Sequence, residues 1–429
     1  MPPGFHRLIA AQFVSALADN ALLLVTIALL QRKGLPGWWA PLLKFSFTLS
    51  YVLLAPWVGP LADALPKARL MAAMNGVKVL GVLGLIAGVH PLLAFAVVGL
   101  GAAAYAPAKY GLITELVGPQ RLVAANGWLE VTVVGAALLG AVLGGVLVSP
   151  LWLGAAPVQA LDGWLQGVAS WADPVALRAS LSASLVALLL VYALASLLNI
   201  GVPDSGARYP ASRLDPIWLC RDFWQANRTL WRDLDGGLSL AVTTLFWGVG
   251  ATLQFAVLRW AADVLALPLD RAAYLQAAVA VGVIVGASAA GRWVPLHQAK
   301  RMLWAGVALG LLMALMAGCR SVALAVPLLA LAGAVGGLMV VPLNALLQHR
   351  GHALFSAGRS VAVQGFNENA SVLGLLAIYA ALLALEVPIT ALLAAYGVAI
   401  AAAMGALIAR ERGRARRRAG ERAALPAST

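Results

Sequence analysis

Charge is scarce in this chain. Of its 429 residues only 11% are Asp, Glu, Lys or Arg, 62% are hydrophobic, and the mean hydropathy is +0.88. Soluble globular domains carry about 25% charged residues, so that class is excluded. Cysteine is scarcer still. Cys220 and Cys319 are the only two, and they have neither metal-ligand nor redox spacing. Enzyme signatures are missing as well. There is no Gly-x-x-x-x-Gly-Lys-Ser/Thr loop for ATP, no Gly-x-Ser-x-Gly elbow and no His-Glu-x-x-His. None of His6, His90, His297, His349 and His352 begins the His-x-x-x-x-Asp pattern of a lipid acyltransferase. ATP-driven transport and lipid-modifying chemistry are therefore not expected, and neither is a metal or cofactor. The chain reads as a non-enzyme.

What the sequence does have is long apolar runs. They fall at about 8–30, 40–61, 70–88, 91–110, 127–149 and 179–201. After a polar break they resume at about 238–266, 271–292, 301–318, 321–347, 359–385 and 387–409. Each is near the ~20 residues a helix needs to cross a bilayer. The expectation is an all-α membrane protein of twelve transmembrane helices in two six-helix halves. Residues 1–201 form the first half and 238–409 the second; 202–237 form a cytoplasmic linker and 410–429 a basic tail. The first run imitates a signal peptide, but it continues past Ala16-Leu17-Ala18 to Leu30 and reads as an uncleaved helix. The insertion at 150–178, with Trp152, Trp164 and Trp171, reads as an interfacial segment on the outer side. Within the linker, Trp218 to Trp231 suggests a short amphipathic helix on the membrane surface.

The net charge of +13 fits this arrangement without nucleic acid. With both termini cytoplasmic, the outer side keeps only Arg32, Lys33, Arg178, Arg271 and Arg320, while most other basic residues face the cytoplasm. The arginines from 410 to 418 then serve as an anchor on anionic lipid.

Ionisable groups inside spans are costly and mark function by default. Gln12, Ser15 and Asp19 fall at i, i+3 and i+7 and share one helical face, with Asn20 adjacent. Lys78 lies in the third span and Gln254 in the seventh; Gln364, Asn367 and Glu368 lie together in the eleventh. These nine are the candidate substrate-binding residues of a central cavity. Asp63, Lys67, Arg69, Lys109, Glu115, Glu130 and Asn344 are the candidate gate or latch. Arg259 reads as snorkelling to the outer interface. Gly140-x-x-x-Gly144 and Gly282-x-x-x-Gly286 read as close helix packing, and His349 and His352 as loop residues.

Gly59-Pro60-Leu61-Ala62-Asp63, followed by Lys67 and Arg69, resembles the signature loop of the major facilitator superfamily, and 291–301 echoes it without the acid. The stretches AQFVSALADNALL, GPLADALPKAR, GAAAYAPAKYG, VAANGWLE, LFWGVGATLQF, VVPLNALLQ and VQGFNENASVLGLL run in order from about residue 8 to 405. Together they resemble the bacterial lysophospholipid transporter family of that superfamily. The resemblance implies flipping of lysophosphatidylethanolamine and lysophosphatidylglycerol from the outer to the inner leaflet of the bacterial inner membrane. It also implies a cytoplasmic acyltransferase/acyl-acyl-carrier-protein synthetase as downstream partner. Asp19 and Asn20 match the family's first-helix motif. Gln254 stands where the family suggests a basic residue, and the 150–178 insertion looks longer than usual. Transport of another amphiphile, or a non-transporting scaffold for the acyltransferase, are the alternatives.

Overall fold

The computed structural model describes residues 1–2, 4–34, 39–168, 181–207, 209, 215–267 and 269–424. With no water in hydrocarbon to satisfy backbone N–H and C=O groups, the apolar runs must close their hydrogen bonds internally, and they do so as helices. The first half contains α1 (Phe5–Arg32), α2 (Trp39–Ala64), α3 (Lys67–Ile86), α4 (Pro91–Leu116) and α5 (Leu122–Val148). The short α6 (Pro150–Leu153) and α7 (Ala156–Val168) follow, then α8 (Ser182–Ile200). The linker carries α9 (Pro216–Arg232). The second half contains α10 (Leu234–Leu265), α11 (Leu269–Trp293), α12 (Leu303–Gly318), α13 (Val322–Leu354), α14 (Ala357–Ala384) and α15 (Ile389–Ala424). Twelve of these are long and apolar enough to span a membrane, six on each side of the linker, and the described residues contain no strand. Leu80, Leu93, Val142, Leu190, Val281, Leu315 and Leu324 are exposed, as a lipid-facing belt requires.

Local sequence sets the helix starts around the linker. Asp215 accepts from the N–H of Ile217 at 2.9 Å and caps α9, with Pro216 at the first helical position. Asp233 caps α10 through the N–H groups of Asp235 and Gly236, and Arg350 grips its carboxylate at 2.6 Å. Burial opposes ionisation of Asp233, but Arg350 and the two N–H groups outweigh it and hold the carboxyl below its usual range. Lys300, in the α11–α12 connection, bridges Asp235 at 2.5 Å and Glu411 at 2.6 Å, docking the start of α10 and the tail on the same half.

Glycine lets the spans approach closely within each half. On α1 and α5, a Cβ at Gly140 would meet the Leu17 carbonyl at 2.7 Å, and one at Gly144 the Ala21 carbonyl at 2.9 Å. On α11 and α13 the approach is mutual. A Cβ at Gly282 or Gly286 would overlap the Ala330 or Ala334 carbonyl, and one at Gly333 would overlap that of Val279.

The two ends of the bundle differ. Next to the linker, apolar clusters mix the halves: Leu112, Leu129 and Ile113 pack with Ala287, Ala290 and Val341, and Val58 and Ala104 with Ala362. At the opposite end the clusters separate. One, around Leu22, Phe95 and Tyr192, belongs entirely to the first half; another, around Trp260, Leu275 and Leu392, entirely to the second. The cleft between the halves is therefore sealed at the linker end and parts toward the other.

The insertion after α5 is tied to α8. Trp152 Nε1 donates to the Ser184 hydroxyl at 3.1 Å, and Asp162 accepts from the Ala183 N–H at 2.7 Å. Trp171 and Arg178, with residues 169–180, lie outside the described residues, as do Arg208, Pro210 and Arg213 of the linker.

Overpacking the α11–α13 contact costs about 1–3 kcal/mol. Gly286→Leu is expected to lower the thermal midpoint of the detergent-solubilised protein measurably. Gly405→Leu, where an added Cβ meets nothing within 4 Å, is expected to leave it unchanged.

Candidate functional site

The first half is built around an ion pair. Lys78 on α3 reaches Asp19 on α1 at 2.7 Å, with side-chain exposures of 2% and 19%. Lys78 Nζ also donates to Ser15 at 3.0 Å, and Ser15 donates to Asn75 Oδ1 at 2.8 Å. The second carboxylate oxygen of Asp19 accepts from the Tyr192 hydroxyl at 2.7 Å. The rings of Tyr105 and Tyr192 flank the ammonium at 5.1 and 5.7 Å, where their π faces add attraction. Gln12, on the same face of α1, donates to Thr132 on α5 at 3.2 Å. The polar stripe of the first helix is thus turned into its own half, with one edge of Asp19 left accessible. Asn20 donates to the Ala16 carbonyl of its own helix at 2.8 Å and sits against Gly140.

Lys109, Glu130 and Glu368 form a second set of charges. Lys109 is half-buried on α4, lies 4.4 Å from the Tyr110 ring and has no ion-pair partner among the described residues. Glu130 on α5 is within electrostatic range of Lys109, and Glu368 on α14 is within range of Glu130. Helices of both halves therefore bring one cation and two carboxylates toward one another.

From Glu368 a chain of amides leads to the closed end. Gln364 Nε2 donates to Glu368 at 2.8 Å and to Asn344 Oδ1 on α13 at 2.5 Å. Asn344 Nδ2 contacts Asn126 Oδ1 on α5 at 3.4 Å. Asn126 and Gln348 then exchange a reciprocal pair of bonds, at 2.9 and 3.0 Å, across the two halves. Asn126 and Gln348 are both buried. The first half holds Asn126 and the second holds Gln348, so this clasp must break when the linker end opens.

Beside it lies the loop latch. Asp63 accepts from the Ser356 hydroxyl and from the Gly358 N–H, the latter at 3.0 Å. Ser356 caps α14, so a carboxylate from the first half sits on a helix N-terminus of the second, where the dipole favours it. The backbones meet here: a Cβ at Gly358 would lie 2.6 Å from Asp63 Oδ1, and one at Gly59 would lie 3.0 Å from the Arg359 Cα. Lys67 pairs with Glu115 at 2.6 Å, both almost fully buried. Tyr209 from the linker donates to the same carboxylate at 2.8 Å. Burial, and then the bond to Glu115, push the Tyr209 phenol above its ordinary pKa.

The geometry regroups the residues singled out from sequence. Asp63, Lys67 and Glu115 gather at the latch and Arg69 is exposed beside it, whereas half-buried Lys109 and buried Glu130 bond none of the latch residues among the described residues and are within electrostatic range of each other. Gln364 and Glu368 point together, but Asn367 turns toward α9, donating to Asn227 at 2.8 Å and accepting from Trp231 at 3.0 Å. Gln254 is exposed on α10, its carbonyl accepting from Gln276. Arg259 is held by Asp263 at 2.6 Å. The sequence reading missed Asn75, Tyr105, Tyr192 and Asn126 as site residues. Uncharged polar groups carry little hydropathy signal, and only the stretches GAAAYAPAKYG and VAANGWLE drew attention to two of them.

Gln348→Leu removes both bonds of the reciprocal pair and leaves buried Asn126 only the Leu122 carbonyl and the longer Asn344 contact, a cost of about 1–3 kcal/mol to the closed end. In a Cys220→Ser/Cys319→Ser background with Ala345→Cys, a thiol reagent is expected to label the new cysteine several-fold faster when Gln348→Leu is present. An unchanged rate would remove this clasp from the gate.

The comparisons with known proteins agree with this architecture. The sequence profile of the Major Facilitator Superfamily matches residues 8–374. The lysophospholipid transporter LplT of Yersinia enterocolitica is 40% identical over 390 residues, which cover 90% of this chain and 89% of that protein. The LplT of Yersinia pestis (strain Pestoides F) is 39% identical over 385 residues, covering 89% and 87%. Among solved structures, the transporter FucP in its outward conformation superposes with a TM-score of 0.69 at 16% identity, over 93% of this chain and 97% of that one. The human organic anion transporter MFSD10 gives 0.67 at 16% identity, over 95% and 100%. These two likenesses show the fold; the profile and the two relatives show more, and the chain belongs to the major facilitator superfamily, in the family of the LplT transporters.

Proposed function

We propose that this chain moves lysophospholipids, chiefly lysophosphatidylethanolamine and lysophosphatidylglycerol, from the outer to the inner leaflet of the bacterial inner membrane. A cytoplasmic acyltransferase/acyl-acyl-carrier-protein synthetase would then restore the second chain. The family relatives support the substrate class. The observation that carries the reading is Lys109, a half-buried cation without an ion-pair partner among the described residues, within electrostatic range of Glu130, which is in turn within range of Glu368 of the other half. A phosphate suits Lys109, and an ethanolamine ammonium suits the two carboxylates. The acyl chain needs only apolar walls, which the spans supply.

Basic residues are concentrated at the linker end, so that end and both termini are cytoplasmic in this reading. The closed linker end and parted opposite end then correspond to a transporter ready to receive lipid from outside. Rocking of the halves breaks the Asn126–Gln348 clasp and the Asp63 latch and opens the other side. A carrier must hold each closed state by bonds it can give up, and neutral amides meet that condition.

The test is uptake of labelled lysolipid into spheroplasts that lack their own transporter, with the acyltransferase present to trap it. Uptake is expected to depend on this chain; none, with protein verified in the membrane, would refute the proposed substrate. Asp19→Asn should cut uptake about tenfold or more, since removing one partner of a buried pair costs about 3–5 kcal/mol. Asp19→Asn/Lys78→Met removes the stranded charge and should recover membrane levels but not uptake. Recovered uptake would make the pair purely structural. Glu368→Gln should reduce uptake of the ethanolamine lipid more than that of the glycerol lipid, whereas Lys109→Gln should reduce both, because both carry the phosphate.

A further inference from the structure

Helix α9 lies across the seam between the halves. Its inner face, Leu219, Phe223, Ala226 and Leu230, is buried; Phe223, Ala226 and Leu230 pack with Ala55 of α2, Leu240 of α10, Leu347 of α13 and Val363 of α14. Polar bonds fix it along α14: Asp222 pairs with Arg359 at 2.9 Å, and Asn227 and Trp231 both bond Asn367. Phe366 of α14 meets the rings of Phe223 and Trp224 edge-on at 5.3 and 5.4 Å. Asn367 lies about three turns into α14. Helix α9 therefore rests against the flank of the bundle instead of hanging beyond it in water.

Its outer face has a different character. Ile217, Arg221, Trp224, Arg228 and Trp231 follow one another at i, i+4, i+7, i+11 and i+14 and so form one stripe, with Arg232 beside its end. All are exposed: Ile217 by 67%, Trp224 by 55% and Trp231 by 42%. Arg221, Arg228 and Arg232 have no ion-pair partner among the described residues. Their neighbours Arg350, Arg359 and Lys300 are all paired. No acid joins the stripe, because Asp222 is spent on Arg359 and Asp215 caps the helix. Exposed indoles are poorly placed in water and guanidinium groups are poorly placed in hydrocarbon. The two together suit the boundary of a bilayer, with indole at the headgroup level and guanidinium on phosphate.

We infer that the outer face of α9 binds anionic phospholipid headgroups of the leaflet at the linker end, which hold this helix against the α2–α14 seam. The inference concerns the surrounding two-chain lipid and does not depend on what the cleft carries.

The test places a polarity-sensitive fluorophore at Gln225→Cys, an exposed position beside the stripe, in the Cys220→Ser/Cys319→Ser full chain. The protein is reconstituted in nanodiscs of phosphatidylcholine, with or without one-third phosphatidylglycerol and without any lysolipid. Emission is expected to move to the blue with phosphatidylglycerol and to return in high salt. Arg221→Gln/Arg228→Gln/Arg232→Gln should abolish the shift at an unchanged melting temperature. The single charge reversal Arg228→Glu, at an exposed site, should weaken the response on the order of fivefold or more. The Arg-to-Lys triple variant should keep it. Equal, water-like emission in both membranes would overturn the inference and point to a soluble protein partner for the stripe. A shift that persists in the triple and Arg228→Glu variants would also overturn it, assigning lipid binding to the basic tail.

Discussion

An ammonium and a carboxylate 2.7 Å apart, Lys78 and Asp19, hold the interior of the first half together. Each charge alone would be expensive at the depth of a bilayer, and each becomes tolerable only because the other is there. Around the pair, Ser15, Asn75, Tyr105 and Tyr192 supply the remaining hydrogen bonds and aromatic faces. That arrangement fixes the rotation of α1, α3, α4 and α8 about their own axes. It also decides which face of α1 is left to line the cleft. The same rule recurs at Lys67 and Glu115, a second nearly dry pair that sets α3 against α4 at the linker end.

Among the described residues, the ion pairs within the bundle stay inside one half or join the linker to it. The seam between the halves is crossed by different chemistry: neutral amides at Asn126, Asn344 and Gln348, and the Asp63 carboxylate on the capped start of α14. The division has an energetic reason. A buried ion pair pulled apart strands two charges, whereas exchanged neutral hydrogen bonds are worth about 1 kcal/mol each and can be replaced. Strong electrostatics therefore stiffen the parts that move as bodies, and weaker bonds close the surface along which they move. Glycine follows the division only in its densest approach, at α11–α13 inside the second half; Gly59, Gly127 and Gly358 bring backbones of the two halves close at the seam itself.

The linker takes part in both tasks. Tyr209 reaches back to Glu115 of the first half, and Asp233 receives Arg350 of the second. Between them α9 covers the junction of α2 and α14 and is bonded to Asn367, one residue from the cleft carboxylate Glu368. Whatever acts on the outer face of α9 is thus a short covalent and hydrogen-bonded path away from the cleft.

The class, the twelve spans and the positions of the costly groups can be read along the chain without its tertiary structure. Hydropathy over twenty residues is a local quantity, and a lone Asp19 or Lys78 in such a window stands out without knowledge of any neighbour. The loop around Asp63 was legible for the same reason, since its pattern is contiguous. Partnership was not legible. Lys78 and Asp19 are 59 positions apart, and Asn126 and Gln348 are 222 apart. Lys109 and Glu130 lie near the latch in sequence, yet they bond none of its residues among the described residues and are within electrostatic range of each other instead. Asn367 shares a helical spacing with Gln364 and Glu368, but α9 occupies the sector it faces. Burial and charge cost are written residue by residue; which buried group meets which is set only when the helices pack, because packing chooses the rotation of each helix and so the direction of every side chain on it.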